Sequence, residues 1–202
     1  MILSRTGSAV VLLLLAILAV PAGAANTGGA VTIKGGAIRL DHDEQVFPTS
    51  TRTSTTVHLD DTSFSTIGIG WEIRFRRGWA VGMEYLRYEH QFAPFAAPAA
   101  SGKAKTTVAM VSPKKYFLDS GIFHPYVGGG IGIGSVEYNN QRNGGRNDNS
   151  HLGLVLHALL GVELRIDRMS FLLEAKTMSF PSRNLGYDAS ATGVLFGMGY
   201  HW

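Results

Sequence analysis

Residues 151–166, HLGLVLHALLGVELRI, split into two faces when read at every second position. Leu152, Leu154, Leu156, Ala158, Leu160, Val162, Leu164 and Ile166 form one face, which is hydrocarbon throughout. His151, Gly153, Val155, His157, Leu159, Gly161, Glu163 and Arg165 form the other. Side chains alternate across a strand, whereas a helical period of about 3.6 residues would scatter these leucines around a cylinder. The segment is therefore a strand. Its unbroken apolar face, backed by glycine and a few charges, is inside-out for a soluble barrel and suited to contact with lipid.

The same pattern recurs along the chain. At the end, residues 191–202 read ATGVLFGMGYHW, with Val194, Phe196, Met198, Tyr200 and Trp202 on one side. Ile67, Ile69, Trp71, Ile73 and Phe75 oppose Gly68, Gly70, Glu72 and Arg74. Trp79, Val81, Met83 and Tyr85 oppose Gly82 and Glu84, and Phe171, Leu173 and Ala175 oppose Glu174 and Lys176. Eight extended segments can be placed, at roughly 31–42, 62–75, 79–90, 104–117, 124–138, 151–166, 170–180 and 191–202. Each is long enough for a tilted membrane strand, which needs about 9–11 residues. The first is weakly patterned. In the fourth, Pro113 and the pair Lys114-Lys115 blur the phase, and a bulge or irregular pairing is expected there because proline cannot donate to a ladder.

The connections alternate in length. Residues 76–78, 118–123 and 167–169 are tight turns; residues 43–61, 91–103, 139–150 and 181–190 are long and polar. Short turns at one end and long loops at the other are the mark of an up-and-down outer-membrane barrel. An open sheet edge is untenable in lipid, where each unpaired backbone group costs several kcal/mol, so the sheet must close. The expected fold is all-β: a closed eight-stranded antiparallel up-and-down transmembrane β-barrel, with both termini at the periplasmic end.

The N-terminus agrees with export. Arg5 precedes an apolar run from Ala9 to Val20, and Ala22-Gly23-Ala24 supplies small residues for cleavage. This is the pattern of a secretory signal peptide over residues 1–24, with the barrel domain over 25–202. The apolar run is shorter than the ~20 residues a membrane helix needs. The chain has no cysteine, which excludes disulfides and thiolate metal sites. A net charge of +3 is too small to argue for nucleic acid. Together these place the protein in the outer membrane of a Gram-negative bacterium.

These features resemble the small outer-membrane β-barrel family typified by the OmpA transmembrane domain, OmpX and OmpW. The tract from His124 to Gly134, HPYVGGGIGIG, is similar to the family's P-Y-V-G-x-G-x-G strand, and it follows the aromatic strand end Lys115-Tyr116-Phe117. The terminal Tyr200-His201-Trp202 resembles the signal read by the barrel assembly machinery, with tryptophan where the family more often has phenylalanine. The resemblance implies Tyr200 and Trp202 as assembly residues and a porin-like or structural envelope protein.

No catalytic, cofactor or metal site emerges from the residues. The glycines at 128–134 do not fit G-x-G-x-x-G in any register, and a polar loop follows them instead of a helix, so dinucleotide binding lacks its context. Gly128, Gly130, Gly132 and Gly134 share a face and leave room in a narrow lumen for longer neighbours. His151 and His157 are about 20 Å apart on a strand, too far for one metal ion. Ser150-His151 and Ser135 with Glu137 fall near the outer rim, but without the signature of a lipid A deacylase.

Seven charges are expected to face inward: Glu72, Arg74, Glu84, Glu163, Arg165, Glu174 and Lys176. An eight-stranded interior is just wide enough for side chains to fill, and isolated buried ions are very costly. The expectation is a salt-bridge network that plugs the pore in its periplasmic half. The protein then has a structural or surface-interaction role and is not an enzyme. Alternatives are a narrow passive pore for small solutes and a lipid A-modifying enzyme. Lys103, Lys105, Arg142, Arg146 and Arg183 are candidate contacts to lipopolysaccharide phosphates. Expected partners are outer-membrane lipids, lipopolysaccharide and the assembly machinery, with no nucleic acid; the loops' ligand is not encoded in any motif. Trp79, Phe75, Phe117, Phe171 and Trp202 suit the periplasmic aromatic girdle.

Overall fold

The computed structural model describes residues 26–40, 44–48, 54–59, 62–94, 102–118, 120–142, 145–180 and 190–202. The proposed signal peptide lies outside the described residues. The described residues form ten strands: β1 (Asn26–Leu40), β2 (Glu44–Pro48), β3 (Ser54–Leu59), β4 (Thr62–Phe75), β5 (Trp79–Pro94), β6 (Gly102–Tyr116), β7 (Phe123–Arg142), β8 (Gly145–Ile166), β9 (Met169–Ser179) and β10 (Ala191–His201).

Eight of these form the wall. β1 pairs with β4, each later strand pairs antiparallel with the next, and β10 returns to β1, so the ring has no free edge. The seam between β1 and β10 runs from Ala30 opposite His201 to Leu40 opposite Ala191. Backbone bonds between Gly29 and Trp202, both 3.2 Å, carry it to the last residue. Closure pairs each wall strand on both sides, as a hydrocarbon environment requires. β2 and β3 make a hairpin that attaches through β3 to the outer end of β5.

The alternation places side chains as its period dictates. On β9 and β10 burial alternates almost without interruption. Ile33, Ile67, Ile69, Leu152, Leu160, Phe196 and Met198 all lie on the outer wall and are exposed. An apolar surface of this extent on a closed sheet is a lipid-facing surface. Its height can be read on β6, where Lys105 and Lys115 share the outward face and bracket Thr107, Ala109, Val111 and Pro113. Ten residues span about 33 Å of strand. At the usual tilt this is a band about 25 Å tall.

The tight turns lie at the end where β1 begins and β10 ends. Arg76–Gly78 is a single 3-10 turn in which Arg77 (φ 64°) and Gly78 (φ 69°) are left-handed. Asp167 (φ 53°) starts the two-residue β8–β9 turn, a conformation that aspartate tolerates better than most residues. Trp79, Phe117, Phe171 and Trp202 are exposed at this rim, and Phe75 ends β4 beside them.

The expected connections are corrected in places, and the expected irregularity at Pro113 is present. Residues 139–150 are not a long loop: β7 and β8 continue to pair through Arg142 opposite Gly145, leaving residues 143–144 between them. A polar two-faced ribbon beyond the bilayer carries no apolar alternation to reveal it. At Pro113 the irregular pairing expected from the sequence is present on the β7 side, without a bulge. Pairing with β5 runs unbroken through Val81 opposite Pro113, and pairing with β7 resumes in the same register at Lys114 opposite Gly128. Only the rungs at Ser112 and Pro113 toward β7 are missing. The tract 43–61 holds the β2–β3 hairpin, and residues 181–189 lie outside the described residues.

Candidate functional site

The lumen is built in layers, each set by which inward positions the strands supply. Across its outer half, Ile38, Leu40, Leu86, Tyr88, Val108, Met110, Val136, Val155, Met178, Phe180 and Leu195 form one buried apolar cluster. The inward glycines of β7 make space for it. A Cβ on Gly134 would sit 2.8 Å from Val108 Cγ1 and 2.9 Å from Val155 Cγ2, and one on Gly132 would sit 2.7 Å from Met110 Cγ.

Below this layer lies a ring of alternating charge. Lys34 from β1 reaches Glu84 Oε2 at 2.7 Å and both oxygens of Glu174 at 3.0 Å. Lys176 reaches Glu84 Oε1 at 2.5 Å and Glu174 Oε1 at 3.1 Å. Two ammonium groups and two carboxylates thus balance one another among β1, β5 and β9. All four are almost fully buried. Tyr126 of β7 donates its hydroxyl to Glu174 Oε2 at 2.9 Å.

A second cluster fills the periplasmic half. Glu72 accepts from Arg74 Nε at 2.7 Å, Lys114 Nζ at 2.9 Å and Tyr116 Oη at 2.9 Å. Glu163 is met by Arg74 Nη2 at 2.7 Å, Arg165 Nη2 at 3.1 Å and His201 Nε2 at 2.7 Å. The rings of Tyr116 and Tyr126, 5.1 Å apart, join this cluster to the charged ring above. The Arg74 guanidinium lies 4.5 Å from the Tyr116 ring centroid, within cation–π range. A cavity of ≈ 20 Å³ remains between the layers, bordered by Lys34, Glu72, Glu84, Lys114, Tyr116 and Tyr126 among others. That is room for about one water molecule.

All seven inward charges named from the sequence occur in these two clusters, but they do not sit together near the periplasm. Glu84, Glu174 and Lys176 belong to the upper ring, while Glu72, Arg74, Glu163 and Arg165 belong to the lower cluster. Sequence reasoning missed Lys34, Lys114, Tyr116, Tyr126 and His201. Their signal was parity alone: Lys34 follows Ile33 on the weakly patterned β1, and Lys114 sits beside a second lysine.

Among the described residues two Ser–His contacts occur, and neither has the geometry of nucleophilic catalysis. Ser112 Oγ and His157 Nε2 are 2.8 Å apart, but both residues are buried in the lumen wall. His201 uses one nitrogen, Nε2, for both Ser170 Oγ at 2.9 Å and Glu163 Oε1 at 2.7 Å. A relay needs the acid on the opposite nitrogen from the hydroxyl. His124 is buried with Nδ1 2.8 Å from the carbonyl of Leu118. Among the described residues no group of three or more His, Cys, Asp or Glu side chains is arranged to hold a metal.

Of the candidate lipopolysaccharide contacts, Lys105 is on the outer wall, in register with Glu89 on one side and Glu137 on the other. Lys103, Arg142 and Arg146 lie on the extramembrane ends of β6, β7 and β8. Arg183 lies outside the described residues. Tyr200 and Trp202 are exposed on the outer face of the seam.

The profile of the outer membrane protein beta-barrel domain family matches residues 10–201 of this chain. No curated protein matches it in sequence. Among solved structures, the chain is similar to OprG from Pseudomonas aeruginosa (13% identity, 89% of this chain and 98% of that one, TM-score 0.63). It is also similar to Neisserial surface protein A (14% identity, 87% and 97%, TM-score 0.58). A third likeness is to Ail of Yersinia pestis, solved with the heparin analogue sucrose octasulfate (13% identity, 87% and 99%, TM-score 0.50). At these identities the likeness is one of fold.

Proposed function

The chain belongs to the outer membrane protein beta-barrel domain family, and from that premise we propose that it is a structural or surface-interaction protein whose lumen is closed by side chains. It resides in the outer membrane of a Gram-negative bacterium. The observation that carries the proposal is the filling of the lumen. An apolar layer stands above a balanced ring of two lysines and two glutamates, and only a ≈ 20 Å³ cavity separates that ring from the cluster below it. An ion crossing this path would need to break buried pairs and then pass a tightly packed, largely apolar layer, each of which is costly. Single-channel recording on the protein reconstituted in planar bilayers is the test. No resolved openings are expected; steady large openings would support the narrow pore instead.

The reading as a non-enzyme rests on the same packing, since the Ser–His contacts are buried or wrongly oriented. The part left to meet partners is the outer end, where β2–β3 and β7–β8 project beyond the apolar band. Lys103, Lys105, Arg142, Arg146 and Arg183 are proposed there as contacts to lipopolysaccharide phosphates. Sucrose octasulfate in the Ail complex is a polyanion of related chemistry on a similar fold.

Tyr200 and Trp202 are proposed as the residues read during assembly. Trp202 stands at the seam with its ring over Gly29, where a Cβ would meet Trp202 Cζ2 at 2.5 Å. Trp202→Ala should slow insertion and leave unfolded chain in the periplasm. Heat-modifiable migration on gels reads this directly, and wild-type levels of the compact band would remove the assembly role.

A further inference from the structure

Among the described residues, charge on the outer wall and its turns occurs only at the two ends of the apolar band, and the ends differ. The outer end mixes signs. Arg87 pairs with Glu89 at 3.1 Å, and Lys105 registers with Glu89 and Glu137. The periplasmic corner formed by the β4–β5 turn and the end of β6 is cationic only. Arg76 and Arg77 are exposed there and Lys115 is half-buried. Among the described residues no carboxylate forms an ion pair with any of the three. Glu72 and Glu163 are turned inward, and Asp167 belongs to the β8–β9 turn on another part of the rim.

The corner is also shaped. Lys115 stands opposite Trp79 in the β5–β6 ladder, with its Nζ 5.4 Å from the Trp79 ring centroid. The same Nζ donates to the carbonyl of Arg77. This contact ties the lysine to the turn and leaves two of its three donors free to bind elsewhere. Directly above lie Val81 and Pro113, paired across the ladder and both exposed. The order from rim to wall is therefore guanidinium and ammonium, then indole, then hydrocarbon. That is the order of a phospholipid from headgroup to acyl chain.

We propose that this corner binds an anionic glycerophospholipid of the periplasmic leaflet. Arg76, Arg77 and Lys115 hold the headgroup phosphate, Trp79 lies at the glycerol level, and an acyl chain follows Val81 and Pro113. The height of the band places Lys115 at the headgroup boundary, about 25 Å below Lys105. Arginine offers paired N–H donors to phosphate oxygens and lysine a compact charge. Three cations to which the described residues offer no ion-paired carboxylate favour a lipid of net negative charge over a zwitterion, whose own cation they repel.

The test uses the protein extracted from membranes in a neutral detergent and offered equimolar phosphatidylglycerol and phosphatidylcholine, with lipid adducts counted by native mass spectrometry. The wild type should prefer phosphatidylglycerol by about tenfold. Arg76→Gln/Arg77→Gln/Lys115→Gln should fall to near parity, while Arg87→Gln at the outer end should keep the preference. Parity in the wild type, survival of the preference in the triple variant, or its loss in the outer-end variant would each overturn the proposal. Heat-modifiable migration of every variant confirms that a folded barrel is being measured.

Discussion

Glu174→Ala is expected to lower the unfolding free energy of the barrel by about 3–5 kcal/mol, the usual cost of breaking one side of a buried ion pair. Glu174 is fully buried and accepts from Lys34, Lys176 and Tyr126. Its removal leaves two buried ammonium groups to share Glu84, and leaves a tyrosine hydroxyl without its acceptor. The measurement is a urea titration of tryptophan fluorescence in bilayers. Arg87–Glu89 provides the contrast. That pair is largely exposed, with side chains 44% and 35% accessible, and Glu89→Ala should cost about 0–1 kcal/mol. Adding Lys34→Met to Glu174→Ala should restore part of the loss, because removing a whole pair is far milder than stranding one partner. A loss below about 1 kcal/mol for Glu174→Ala would mean that the ring does not hold the lumen together.

The second large effect is expected on the opposite side of the wall. Leu160 is 62% exposed on β8, six residues above the β8–β9 turn, or about 20 Å along a tilted strand. This puts it near the middle of the apolar band. Leu160→Arg should cost about 2–4 kcal/mol, the depth-dependent penalty for a cation on the lipid face of a barrel. On a water-facing surface the same substitution would fall within about 0.5 kcal/mol. The same urea titration reads the difference. A neutral result would place water, not hydrocarbon, against Leu160.

The strands were legible in the sequence because lipid enforces a period of two. Leu152 to Ile166 must all be apolar on one face, since nothing else can solvate them. The turns were legible at Arg76–Gly78 and Asp167-Arg168 because short connections leave no room between adjacent strands. Where water faces both sides, that constraint disappears, so the pairing of residues 139–142 with 145–148 left no trace in composition. The lumen was half legible. Glu72, Arg74, Glu163 and Glu174 stand out as lone charges between apolar neighbours, and parity assigns them inward. Lys34 did not stand out because Gly35 and Gly36 follow it and β1 shifts register against β4 near Gly36. Lys114 was hidden by Lys115: one of the pair faces each side, and only the continuous ladder through Pro113 says which. The apolar outer half of the lumen went unread for a simpler reason. Val155, Val108 and Leu86 look like ordinary wall residues until the barrel is closed around them.

Extraction of the full chain from cells tests the central claim most directly, namely that hydrocarbon solvates the outer face of the closed sheet. Envelope fractions are washed with alkaline carbonate and then with urea, and the protein is followed by its heat-modifiable migration. The chain should remain with the outer membrane as a compact band through both washes and leave only with detergent. A folded, monodisperse protein released into detergent-free buffer would contradict it.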